Sequence, residues 1–394
     1  MTPPEVEETR TRVFFAAFGF GIAALAAIGV LLLLGLKHDA KRDAVFAPPK
    51  TTASIVAPAS QAQRTAKRGS EALPAERPKA DRPKGDLFAP TSFWNQRLPR
   101  TTPTDASSTT LVQALVAEVA REQAAAIGPW IGANSGSTPL YRVKRTQRRV
   151  RVHLDSLTSR GARALQRAWA SVPIPDDAKP AVPPDRHMTI WQPATDTLWD
   201  FFGARKLSDG WHAEWGGAIR HVSNSPGYYT RAAWPGASRS WGATASSLPV
   251  IGGTMLLNEL RSGRIDHALA LNVPAARPGV FAWPAQRTDG DGPLNALPEG
   301  ARLRLDPSLD LGSLHLPKMT RMIALAAQRY GLVVRDQTHN GISLFAENPV
   351  QFGGDPYKRY FRGRTPPQML ANFPWDRLQV LQMHLCRAAP CERR

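Results

Sequence analysis

Only two cysteines occur in this chain, both beside its C-terminus, so neither a disulfide framework nor a four-cysteine zinc site can organise the fold. Catalytic signatures are missing as well. No H-E-x-x-H pattern supplies a helical zinc pair, and no C-x-x-C spacing supplies a redox or metal motif. There is no G-x-S-x-G turn to present a nucleophilic serine, and no S-x-x-K with its companions. Phosphate-cradling loops are absent, with neither G-x-x-x-x-G-K-[ST] nor a G-x-G-x-x-G after a strand, which sets nucleotide-dependent chemistry aside. No internal repeat period is visible, and no cofactor or metal is called for.

What the chain does have is one long apolar run. Residues 13–36 carry no charged side chain, and as a helix they reach roughly 36 Å, enough to cross a hydrocarbon core of about 30 Å. A cleaved secretory signal would have a shorter apolar centre and a small-residue cleavage motif. Here the run exits through Lys37-His38-Asp39, so it reads as a permanent transmembrane helix following a short tail, residues 1–12. The flanking charges, Arg10 and Arg12 before and Lys37, Lys41 and Arg42 after, count towards a cytoplasmic body. We nevertheless expect the body outside the cytoplasm. Long domains after a single span translocate largely regardless of flank charge, and Cys386 and Cys391 can close a small disulfide loop in an oxidising compartment.

Residues 37–86 are rich in Pro, Ala, Lys and Arg and nearly free of aromatics, the composition of a disordered spacer that cannot bury enough apolar area to offset chain entropy. The remainder, residues 87–394, is long enough for one large globular domain. A net charge of +18 points to an anionic partner such as a wall polymer or anionic lipid. An exported body makes nucleic acid the wrong partner; a cytoplasmic-facing one would reopen it.

Helical spacing marks residues 111–126, 157–170, 254–261 and 318–330, the last with Gly331 as its cap. Short alternating or aromatic-rich runs mark strands over 148–154, 187–192, 198–202, 210–219, 264–273, 279–283, 301–305, 332–335 and 342–346. Residues 193–197 read as the turn of a hairpin. Many short strands with few helices predict an α+β fold, mainly an antiparallel β-sandwich or jelly-roll-like core with peripheral helices.

The densest cluster of polar and aromatic residues lies around 196–221. If residues 210–219 form one strand, His212 and Glu214 share a face, and an imidazole beside a carboxylate can exchange a proton with a reacting hydroxyl. Asp200 on the neighbouring hairpin completes a set suited to glycoside hydrolysis or to lyase chemistry on an acidic sugar. Of eleven tryptophans, eight lie from Trp169 to Trp283, and indole faces stack on sugar rings as readily as they fill a core. Trp199, Trp211 and Trp215, with His187, His221 and His267, are therefore the expected substrate contacts. The struts-and-core alternative stands beside every one of these roles, and His267 in particular has the pattern of a core histidine.

One likeness follows from the residues 241–249 (WGATASSLP), Glu259-Leu260 with 263–269 (GRIDHAL), 281–285 (FAWPA), 298–305 (PEGARLRL), and the Tyr330-Gly331 run ending in Asp336. Over residues 170–350 the chain resembles a group of secreted bacterial proteins to which no activity is attached. The resemblance implies secretion and a single domain and assigns no catalytic residue. Together these readings describe a membrane-anchored protein whose body engages a cell-envelope or extracellular polysaccharide, as a lyase or hydrolase in its catalytic form. The alternative is a non-catalytic envelope binding protein, and neither reading fixes an oligomeric state.

Overall fold

The computed structural model describes residues 87–394 except positions 135, 156, 158, 159, 231–239, 339 and 394. The expected tail, membrane crossing and spacer lie outside the described residues. Among the described residues no helix is long and apolar enough to cross a membrane.

The elements follow one another as α1 (Ser108–Ala124), β1 (Trp130–Gly132), β2 (Leu140–Arg142), β3 (Val152–Leu154), α2 (Arg160–Ala168), β4 (Met188–Gln192), β5 (Thr197–Phe202), β6 (Arg205–Leu207), β7 (Gly210–Ala213) and β8 (Trp215–Arg220). Then come α3 (Leu257–Ser262), β9 (Leu269–Val273), β10 (Phe281–Ala282), β11 (Arg302–Leu305), α4 (Lys318–Arg329), β12 (Leu332–Gln337) and β13 (Ser343–Phe345). The chain closes with α5 (Lys358–Phe361), α6 (Pro366–Leu370), β14 (Leu378–Val380) and β15 (Leu385–Cys386). The fold is thus α+β, with several sheets and few helices.

The largest sheet has the order β1-β13-β9-β12-β11-β14 and mixes parallel with antiparallel pairs. Alternation along its strands sends Leu269, Leu271 and Val273 with Leu332, Val334, Leu303 and Leu305 to one face, where they pack on Leu111, Leu115 and Val119 of α1 and on Met319 and Ile323 of α4. Each such side chain taken fully from water contributes about 1.5–3 kcal/mol, so this face fixes the sheet against its helices. Val333, on the opposite face, packs into a second core with a four-stranded sheet, β2-β4-β5-β8, a three-stranded sheet, β3-β7-β6, and α2. A Cys386–Cys391 disulfide closes the loop after β15, which pairs with β10.

The β4–β5 hairpin has Gln192 opposite Thr197, with a 3-10 turn between them, as the Pro193-Ala194-Thr195 sequence suggests. Two strand expectations are corrected. Residues 210–219 are not one strand: the chain breaks at Glu214, so that β7 joins the three-stranded sheet and β8 the four-stranded one. Glu214 N bonds to Phe202 O at 2.9 Å across that break. The strand expected over 264–273 begins only at Leu269, which leaves His267 before it, its Nδ1 2.8 Å from Ala268 O.

One register shift positions the site described below. Val334 pairs with Leu271, but the next paired residue of β12 is Asp336, opposite Asn272, so Arg335 is the extra residue of a bulge. Strict alternation would have sent Asp336 to the helix-covered face. The bulge turns it to the other.

Burial also makes the fold sensitive to pH. Glu347, 6 % exposed, accepts Leu257 N at 3.0 Å and Gln351 Nε2 at 2.9 Å, and burial pushes its pKa up to about 7. An acid whose folded-state pKa exceeds its unfolded value stabilises the fold below the unfolded pKa, and that contribution is lost as pH rises through the folded one. Between pH 5 and 8, Glu347 is expected to withdraw about 2 kcal/mol. Urea unfolding of Glu347→Gln at both pH values should show a stability difference smaller by that amount than wild type; an unchanged difference would contradict the assignment.

Candidate functional site

Across β1, β13, β9 and β12, the register places Trp130 opposite Ser343, Ser343 opposite Asn272, and Asn272 opposite Asp336. Residues paired in register project from the same face of a sheet, so these four form one row. The row floors a cleft of about 630 Å³. Phe345 of β13 continues the floor, and Phe202 at the end of β5 and Trp215 at the start of β8 supply aromatic walls. Asp185 and His187 enter from the segment before β4, and Arg287, Thr288 and Asp289 from the loop after β10.

The floor is polar but incompletely paired. Asn272 Oδ1 and Ser343 Oγ are buried without a hydrogen-bond partner among the described residues, and such groups cost about 1–3 kcal/mol each unless something satisfies them. Asn272 is 5 % exposed and stands in a strand otherwise apolar from Leu269 to Val273.

Beside the floor three carboxylates converge. One oxygen each from Asp289, Glu299 and Asp336 lies within 4.8 Å of the other two. Glu299 is fully buried, accepts Asp289 N at 3.3 Å through Oε2 with the Thr288 hydroxyl also near the carboxyl, and its Oε1 has no hydrogen-bond partner among the described residues. Its position is set by a turn that only glycine can complete: Gly300 has φ +84°, and a Cβ there would lie 1.8 Å from Ala282 O. The turn is tied to both neighbours by Ala282 N to Glu299 O and Gly300 N to Val334 O, each 2.7 Å.

Burial first, and then the charges of Asp336 and Asp289, push the Glu299 carboxyl well above the usual carboxylate range. Burial likewise raises Asp336 to about 7, against the opposing pull of the Arg335 cation and with help from Asp289 and Asp185. His187 is driven down to about 4 by burial, so its ring is neutral at pH 7; its Nε2 lies 3.2 Å from Ala243 O. Arg335, 1 % exposed, bonds Val250 O and stacks on Phe345 at 4.4 Å. Burial lowers its pKa to about 10, which leaves it charged at neutral pH. Arg287 donates to the carbonyls of Ser240, Gly242, Thr244 and Ala245 and thereby pins that loop over the cleft. The cleft thus gathers the carboxyls of Asp185, Asp289 and Asp336, with Glu299 behind them, beside the guanidinium groups of Arg287 and Arg335.

The residues expected from the sequence separate into five places. His187 and Trp215 line the cleft. His212 and Glu214 belong instead to a surface network: His212 Nδ1 is 3.2 Å from Asp155 and Nε2 is 3.1 Å from Asp209, while Arg205 joins Asp155 at 2.7 Å and Glu214 at 3.8 Å. His212 also stacks on His153 at 5.0 Å. Asp200 is fully buried, accepting the Tyr229 hydroxyl and Val250 N at 3.2 Å, and lines none of the described cavities. The expected triad of Asp200, His212 and Glu214 is thus not brought together, because the chain turns at Glu214 between two sheets.

Trp199 and Trp211 are buried in the second core, Trp199 donating to Ala168 O at 3.2 Å. His221 is exposed beside a separate cavity near Tyr228 and Trp241. His267 lines another, its Nε2 3.0 Å from Glu259. Both its ring nitrogens face acceptors, and although burial opposes the charge, the Glu259 carboxylate prevails and raises its pKa.

The sequence reading did not single out Asp185, Asn272, Asp289, Glu299 or Ser343 for the site. A signal existed for Asn272, as the one amide in an apolar strand; the others depend on distant segments meeting. Compared with protein-family models, curated proteins and solved structures, the chain matches none.

Proposed function

We propose that the body engages a cell-envelope or extracellular polysaccharide in this cleft. The observation that carries this reading is the row Trp130, Ser343, Asn272 and Asp336, where two buried polar atoms await partners beside an indole face. Sugar hydroxyls both donate and accept, and the apolar face of a pyranose lies flat on an indole, so one ring can satisfy Asn272 Oδ1 and Ser343 Oγ while stacking on Trp130. The cleft volume falls in the range of about 300–1,000 Å³ usual for such sites. In this reading the two large sheets pack as a sandwich-like pair, residues 13–36 anchor the body outside the cytoplasm, and residues 37–86 hold it off the bilayer. The Cys386–Cys391 bridge supports that location.

Purified full-length protein applied to an array of acidic and neutral glycans should retain at least one class. Asn272→Ala and Trp130→Ala should each weaken that binding by about tenfold or more, about 1.4 kcal/mol. Asn272→Ala should not lower the thermal midpoint, since it removes an unpaired buried polar atom. Product release from the retained glycan would identify an enzyme, and retention without product the non-catalytic envelope component. No retention anywhere on the array would remove the reading.

A further inference from the structure

We propose that Asp289, Glu299 and Asp336 hold a calcium-sized divalent cation beside the cleft floor. The three oxygens lie within 4.8 Å of one another, a spread that one ion with Ca–O bonds of about 2.3–2.6 Å can span. Two further observations point to a ligand there. Glu299 Oε1 is fully buried with neither a hydrogen-bond partner nor a lysine or arginine ion pair among the described residues. Asn272 Oδ1, opposite Asp336 in register and equally without a partner, adds a neutral amide oxygen on the same face.

All of these donors are hard oxygens. Such a set suits calcium over zinc, which prefers imidazole and thiolate. It also leaves no short sequence signature, because the donors come from three separate segments. Asp289 is exposed at the cleft, so one side of the ion remains open to water or to ligand oxygens.

A consequence, which rests on the polysaccharide reading, concerns substrate class. A divalent ion held by these carboxyls adds positive charge at the cleft and can bridge protein carboxylates to a uronate.

The ion itself is tested without any sugar. Terbium added to the full-length protein should emit on tryptophan excitation, since Trp130 and Trp215 line the same cleft, and calcium should quench that emission by displacement. Calcium should also raise the thermal midpoint of wild type by mass action. Glu299→Gln and Asp336→Asn, which keep shape and remove charge, should each weaken calcium competition at least tenfold, whereas Asp176→Asn, an exposed acid elsewhere, should leave it unchanged. The absence of both sensitised emission and a calcium-dependent midpoint in wild type would overturn the proposal. So would an unaltered calcium midpoint in either cleft variant. Calcium binding without glycan retention would leave the ion standing and remove the saccharide. Calcium-independent retention of a uronate polymer would remove the bridging role.

Discussion

Trp169→Ala is expected to lower stability by about 3–5 kcal/mol, the range for deleting a large aromatic from a packed interior. The indole is fully buried, lies 4.8 Å from the Phe201 ring, and donates from Nε1 to Gly217 O at 3.3 Å. Its backbone is engaged too, with Val152 N bonding to Trp169 O at 3.0 Å. One residue therefore ties the end of α2 to β3, β5 and β8. The sheet has made room for it: Gly216 has φ +152°, and a Cβ there would lie 2.9 Å from the indole and 2.0 Å from Asp200 O. A cavity opened at this junction cannot close by local collapse, because three separate backbones surround it. For a body of this size the thermal midpoint should fall by about 10 °C, and Trp169→Phe should fall less. A loss under about 1 kcal/mol in urea unfolding would show that the indole is not the joint between these elements.

The same tryptophan shows what the sequence could and could not disclose. Indoles crowd the region 169–283, and their abundance is equally compatible with sugar platforms and with a core; only position separates the two. Trp169, Trp199, Trp211 and Trp215 are all buried in the second core, Trp215 also bordering the cleft, while Trp130 lines the cleft from β1. Local elements were readable wherever periodicity and punctuation agreed, as in α4 with Gly331 behind it and in the β4–β5 hairpin. Periodicity failed where the backbone departs from it. A single strand over 210–219 would have placed His212 beside Glu214, yet the turn at Glu214 sends β7 and β8 into different sheets. Period-two counting along β12 would have hidden Asp336 against the helices, yet the Arg335 bulge delivers it to the cleft. The site is assembled from β9, β12, β13, the Pro298-Glu299-Gly300 turn and the loop at Asp289, and no local spacing rule reports contacts between segments so far apart.

Asp200→Ala, by contrast with a surface acid, is expected to destabilise the fold by about 3–4 kcal/mol. Its carboxylate accepts the Tyr229 hydroxyl and Val250 N, and both donors are buried; each orphaned donor costs about 1–3 kcal/mol. Asp200→Asn keeps one acceptor oxygen and should lose about half as much. Burial pushes the Asp200 pKa up even against these hydrogen bonds, and its full burial away from the lining of any described cavity marks it as a strut held inside the fold. Glu214→Gln is the contrasting case: its side chain is 53 % exposed and its nearest cation, Arg205, is 3.8 Å away, so stability should change by less than about 1 kcal/mol. Glycan retention by the folded fraction should be the same for wild type, Asp200→Asn and Glu214→Gln. A variant at Asp200 or Glu214 that kept its thermal midpoint but lost glycan retention or product release would return the site to the Asp200, His212 and Glu214 region and take it from the cleft. The opposite pattern, stability lost at Asp200 and binding lost at Asn272, follows if one carboxylate braces the two sheets while the unpaired amide waits for ligand.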